Sequence, residues 1–512
     1  MRIEVFIALT AALAFGGSAG AQSSDPLSAI DWLSESVRED IQVPRGHDGA
    51  VVQSAAPPAV SVTPLDKPLL DAVGLLPGST TGLSPELWGK SSPVEIARLI
   101  RATPAETLPA LQDLLYLLLL AELAPPEKSA VDDGVILLAR LDKLLEMGAL
   151  DQARALLERT DPAQPALFRR WFDISLLTGH EDRACQAMRA TPDLAPTFPA
   201  RIFCLARGND WNAAALTLET GRALNHISDY QDALLARFLH PELAEDQPPL
   251  PAPKRPSPLV YRLLEAIGEP LPTSSLPVAF AQADLRHNGG WKARIEAAER
   301  LAKRGAISPN QLLGIYTEAL PAASGGVWDR VAAVQKLDVA LISGKVDAVQ
   351  QALPRAWSEM QSAGLVVPLS RLYGPRLARL ALGGTAKNMA FQAGLLSDEY
   401  ESIAATHGPL SRTETLLRMI ATGQSGPDQM TEPLPSAVQQ AFAGAELGEA
   451  MRYRLENDQV GEAILLALQL IADGAEGDPT DVTEGLVLLR QVGLEDAARR
   501  IALQLLILGQ TA

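Results

Sequence analysis

A chain of 512 residues with a formal net charge of −17 and no basic stripe repels phosphate backbones, which argues against nucleic acid as a partner. The length allows roughly two to four domains and ample chain to bury a core. Only two cysteines occur, and the six histidines include no two that lie three or four residues apart. That rules out a Cys-x-x-Cys redox pair and a His-Glu-x-x-His metal site. Neither a cofactor nor a metal is expected.

The first element is an export signal. An apolar stretch from Val5 to Phe15 precedes the small residues Gly16 to Ala21, and Ala19-Gly20-Ala21 has the form that signal peptidase reads. Cleavage is expected before Gln22, which makes residues 1–21 a signal peptide and the mature protein periplasmic. About eleven apolar residues are too few to span a bilayer, where about twenty are needed, so no stable transmembrane anchor is expected. The other apolar run, Leu114 to Leu123, contains Glu122 and is equally short, and it reads as a buried helix.

Residues 22–92 are rich in Pro, Ser and Gly, too densely for long helices, and are expected to be irregular and partly disordered. Two apolar pieces interrupt them. Asp25-Pro26 can cap a short helix carrying Leu27, Ile30, Trp32, Leu33 and Val37. Leu69 to Leu76 reads as a strap across the protein's own surface or, as the weaker alternative, a peptide for a partner helix.

From Pro93 onward the apolar residues follow the 3.6-residue period and predict an all-α protein. Asp132 or Asp133 can cap a helix with Leu138, Leu141 and Leu145 on one face. Gly148 stops it, and a second helix follows with Leu150, Ala153 and Leu157. The same event recurs along the chain. A glycine is followed five residues later by a small residue at Gly148/Ala153, Gly179/Ala184, Gly208/Ala213 and Gly493/Ala498, with Gly344/Val349 and Asp458/Ala463 as variants. Each of these glycines suits the left-handed end of a helix, and the small residue lets the next helix approach closely. Glycines 148, 179 and 208 lie 31 and 29 residues apart, a helical-hairpin period.

The stretch Leu144-Leu145-Glu146-Met147-Gly148-Ala149-Leu150-Asp151-Gln152-Ala153 resembles the turn between the two helices of a tetratricopeptide repeat. Leu176-Leu177 through Gly179 to Ala184 is similar, as is Val492-Gly493-Leu494-Glu495-Asp496-Ala497-Ala498. This resemblance implies an α-solenoid of helical hairpins and a mode of binding, and it implies no activity. The helical domain of soluble lytic transglycosylases is a second comparison.

The run Pro241 to Pro258, with five further prolines inside it, reads as an extended spacer. It divides the helical part into an N-terminal block at 93–240 and a C-terminal block at 259–512. Cys185 and Cys204 lie about eight and eleven residues from a bend near Pro192 to Leu194. On antiparallel helices that is an offset of roughly 3–5 Å, which predicts a structural disulfide in an exported protein.

No catalytic constellation assembles. Gly16-Gly17-Ser18-Ala19-Gly20 matches a serine-hydrolase elbow by letter but lies in the signal peptide with no strand before it. Gly89-Lys90-Ser91 resembles the end of a P-loop, yet Ser84 stands where the first glycine belongs and Pro85 follows it. Glu401-Ser402 resembles the start of a transglycosylase motif without its continuation, and a lone helical carboxylate is normally solvated.

Two clusters combine indole, guanidinium and a Gly-Gly turn: Arg286 with Trp291, and Trp328 with Arg330. They are the candidate partner-binding residues, although the heavier reading is that each Trp packs where its helix begins. The sequence therefore predicts a non-enzymatic periplasmic scaffold or adaptor that binds a protein or peptide in cell-envelope assembly or maintenance. The alternative is a peptidoglycan-associated factor that resembles the transglycosylase helical domain.

Overall fold

The computed structural model describes residues 69–127, 134–243, 247–286, 289–408, 411–424 and 426–509. The expected signal peptide, the amphipathic piece after Asp25 and the caps at Asp132 or Asp133 lie outside them. Among the described residues there are 25 α-helices and no strand, only an isolated parallel bridge between Leu76 and Ala121. In chain order the first ten are α1 (Gly78–Thr81), α2 (Pro93–Ala102), α3 (Pro109–Leu120), α4 (Val135–Glu146), α5 (Leu150–Glu158), α6 (Pro165–Thr178), α7 (Glu181–Ala190), α8 (Phe198–Arg207), α9 (Trp211–Ala223) and α10 (Asp229–Leu239). After the Pro-rich run come α11 (Pro258–Ala266), α12 (Ala281–Asp284), α13 (Trp291–Lys303), α14 (Pro309–Tyr316), α15 (Val327–Ser343), α16 (Val346–Ser362), α17 (Val366–Ala378), α18 (Gly384–Leu395) and α19 (Tyr400–Thr406). The chain ends with α20 (Arg412–Thr422), α21 (Pro433–Phe442), α22 (Glu449–Glu456), α23 (Val460–Glu476), α24 (Pro479–Gln491) and α25 (Glu495–Leu508).

The recurring turn is visible in the backbone. Gly148, Gly179, Gly344, Asp458 and Gly493 all have φ between 55° and 86°. Five residues after each, Ala153, Ala184, Val349, Ala463 and Ala498 are buried. The sixth case is shifted by one residue from the sequence reading. Gly208 is at φ −81° and the left-handed residue is Asn209 at φ 64°, so the buried small residue is Ala214 and not Ala213. Asn is the other residue that enters this region readily, because its short polar side chain can bond locally.

Helix α4 organises the N-terminal layer through charge as well as packing. Its N-terminus is capped from a distance: the buried Asp71 carboxylate accepts the Leu137 N–H at 2.8 Å. Two cations that α4 carries into the core are spent on the C-termini of its neighbours. Arg140, 2% exposed, donates to the carbonyls of Leu119 at 2.6 Å and Ala121 at 3.0 Å at the end of α3, and to Val73 at 2.6 Å on the strap. Lys143, fully buried, donates to the carbonyls of Arg101 at 2.9 Å and Thr103 at 2.8 Å at the end of α2, and to Glu146 at 2.6 Å. A cation at a helix C-terminus satisfies orphan carbonyls and the dipole together. Burial nevertheless pushes the Arg140 pKa down to about 10 and lowers that of Lys143.

The apolar run Leu114 to Leu123 is buried or half-buried except at Glu122, and no helix among the described residues is long and apolar enough to cross a membrane. Its first seven residues belong to α3, which is apolar nearly all round and exposes only Asp113. Hairpin stacking alone would not bring the early and late helices together, yet α23 packs on α2 and α3, and α25 packs on α3. The Gln504 side chain accepts the Ala110 N–H at 2.8 Å, and Gln469 donates to the Leu99 carbonyl at 3.2 Å. Residues ahead of α2 complete the closure. Trp88, 2% exposed, lies against Gly461, where a Cβ would come within 2.4 Å of the indole. The Gly461 N–H donates to Leu87, and the Lys90 N–H donates to Asp458. The middle of the chain touches the same helix: Tyr116 donates to the Arg304 carbonyl at 3.0 Å, and Asp113 is ion-paired to Arg371.

Residues 69–76 lie on the chain itself, bonded to α4 through Asp71 and to Leu120 through the Leu75 and Leu76 N–H groups. The described part of the Pro-rich run is tied down in the same way, with Pro248 accepting from Arg237 at 2.9 Å and the Leu250 N–H donating to Glu269 at 2.8 Å. Cys185 on α7 and Cys204 on α8 are disulfide-bonded across a bend at Pro192–Leu194, with Cα atoms 4.8 Å apart.

Candidate functional site

The two tryptophans singled out in the sequence meet in space. Each opens a helix after a glycine: Gly290 precedes Trp291 at the start of α13, and Gly326 at φ 56° precedes the first turn of α15, which holds Trp328. Their rings lie 5.2 Å apart at 52°. Both are half-buried, and the Trp291 indole N–H donates to the Ile315 carbonyl at 2.8 Å. Each Trp thus packs where its helix begins, and the pair leaves part of its surface to solvent.

Arg330, two residues after Trp328 on α15, is gripped by Glu299 through two hydrogen bonds of 2.7 and 2.6 Å. Tyr316 donates to the same carboxylate at 2.6 Å. Burial works against the Arg330 charge, but the Glu299 carboxylate more than compensates and raises its pKa. Burial and the same carboxylate push the Tyr316 hydroxyl well above its ordinary value, so it remains a donor. A second fork closes the outside, where Arg294 binds Glu318 through two bonds of 2.6 Å. Beyond it, Leu320 on the loop before α15 is 82% exposed.

Arg286 belongs to a different network. It donates to both oxygens of Glu265 at 3.1 and 2.9 Å, and Glu265 also binds Arg262. Arg262 reaches the buried Glu181 at 3.0 Å, and Arg207 approaches Glu181 at 3.6 Å. The chain of charges fastens α11 and the end of α12 to α7 and α8, across the two sides of the Pro-rich run. Sequence proximity placed Arg286 with Trp291; the structure gives it this separate role. Glu299, Tyr316 and Glu265 carried no signal in the sequence, because a carboxylate that pairs across helices looks like any other helical Glu.

Two further recesses occur. One narrow slot lies where α6, α8, α10 and α11 converge, lined by Phe172, Leu234, Leu263 and the Arg169–Asp173 pair at 3.8 Å. Burial pushes the Asp173 carboxyl up to about 6, against the opposing effect of Arg169 and Arg170. The other is a cleft of about 550 Å³ between α17, α18 and α19, lined by Phe391, Ile403 and His407 among others. Glu401 is not part of either; it lies at the surface, 3.8 Å from Arg499. Among the described residues no group of three His, Cys, Asp or Glu is placed to hold a metal ion.

No family model, curated protein or solved structure matches this chain. The functional reading therefore rests on the geometry above.

Proposed function

We propose that the chain is a non-enzymatic scaffold or adaptor of the bacterial periplasm, built from tetratricopeptide-like helical hairpins, that binds a protein or peptide partner in envelope assembly or maintenance. The observation that carries this reading is the recurring turn: six left-handed residues, each followed at the fifth position by a buried residue that is Ala in five cases and Val349 in the sixth. Such repetition is the local signature of stacked hairpins, whose joined faces serve as binding surfaces. The disulfide between Cys185 and Cys204 fits an oxidising compartment.

The partner surface we assign is the Trp291–Trp328 pair with Arg330. Tryptophan and arginine dominate binding energy at protein interfaces, and side chains already locked by Ile315 and Glu299 lose little entropy when a partner arrives. The test is to crosslink the tagged full chain in its native cells and identify what is captured from the periplasmic fraction. One abundant protein partner supports the adaptor. Recovery only with cell-wall glycan, or muramidase activity of the purified protein, replaces it with the peptidoglycan reading.

A further inference from the structure

The cleft between α17, α18 and α19 has the size of a ligand site, within the roughly 300–1,000 Å³ common for small-molecule pockets. Its walls have two characters. Phe391 and His407 stack face to face, with centroids 3.6 Å apart and an interplanar angle of 13°, so the flat face offered to a ligand is the outer side of that stack. Ile403 and Leu382 extend it. The imidazole is fixed from outside the cleft, its Nε2 lying 3.2 Å from Glu414, so the flat face is pre-formed.

The charge at the mouth is opposite to that of the molecule. In a chain of net charge −17, Glu399 is the only carboxylate among the described residues that lines the cleft, and it is ion-paired to Arg379 on the same rim. The remaining charged lining residue is Lys387, an exposed side chain with no ion pair among the described residues. A flat apolar wall beneath one uncompensated cation suits a ligand with an apolar ring system and a single acidic group. A cationic ligand would be repelled by the lysine, and a neutral one would gain nothing from it.

We propose that this cleft binds a small aromatic organic acid, with its ring on the Phe391–His407 face and its carboxylate at Lys387. The site is separate from the tryptophan pair and does not depend on the adaptor reading.

The probe is 2-naphthoate, titrated into the full-length protein and followed by ligand-observed NMR, with 2-naphthamide as the neutral control. Saturable binding at one site is expected, with the amide at least tenfold weaker. Lys387→Glu should weaken naphthoate at least tenfold and leave the amide unchanged. Ser402→Trp, a substitution of an exposed lining residue that fills the cleft without touching the core, should abolish both. Naphthoate that fails to bind at millimolar concentration, binds no better than the amide, or is insensitive to either variant overturns the proposal.

Discussion

The centre of the molecule and the tryptophan region treat charge in opposite ways. Around α4, Arg140 and Lys143 are sunk in the core and discharge mainly into backbone carbonyls at the ends of α2 and α3. Around α13 and α15, Arg330 and Arg294 sit nearer solvent and meet carboxylates. The first arrangement makes a cation indispensable, because removing it orphans several buried carbonyls at once. The second joins side chain to side chain, so a cation of another shape can still answer the carboxylate.

The largest effect should come from breaking the centre. Arg140→Ala removes the partner of three carbonyls and is expected to destabilise by about 3–5 kcal/mol, the range for stripping one member from a buried charged network. A urea unfolding midpoint measured beside the parent chain checks it; a shift as small as that of an exposed Arg→Ala change would contradict the role given to α4. Opening the Cys185–Cys204 bridge by the double Ser variant should cost roughly 3 kcal/mol, since the bond closes a loop with sequence separation 19. Reduction of the parent protein should reproduce that loss.

Asp173 gives a smaller and pH-dependent test. Its folded pKa of about 6 exceeds its ordinary 3.8, so between those values the folded chain keeps a proton that the unfolded chain has released. Its contribution is therefore fully present below the unfolded value and declines as pH rises through about 6, by on the order of 2–3 kcal/mol. Asp173→Asn should flatten that decline, and stability curves over this window report it. The smallest effect belongs to the outer region. Arg330→Lys keeps the charge but loses one arm of the fork to Glu299 in a pair whose side chains are only 11% and 12% exposed, and should cost about 1–2 kcal/mol.

The same contrast explains what could be read from the sequence. The turns were legible because a left-handed backbone demands Gly or, at Asn209 and Asp458, a small polar residue. The shift from Gly208 to Asn209 shows the limit of that rule where two permissive residues are adjacent. The cysteine pair followed from helix rise and one bend. Arg140 and Lys143 were invisible, because charged residues are ordinarily outside and nothing local marks the carbonyls they reach. Closure of α23 and α25 onto α2 and α3 was equally hidden, since periodicity tells which face is apolar and not which distant face it meets. Trp291 and Trp328 were singled out from two clusters that combine Gly-Gly with Trp, and their rings meet in space, whereas Arg286, grouped with Trp291 by sequence proximity, pairs with Glu265. The cleft at α18 left no trace, its walls coming from three helices with no shared motif.

The most direct test of the adaptor account is to compare crosslinked capture from native cells by the parent chain and by Trp328→Ala, with circular dichroism confirming that the variant is folded. The account expects the parent to retain one abundant protein partner and the folded variant to lose it. Equal capture by both would contradict the assignment of the partner surface to the tryptophan pair.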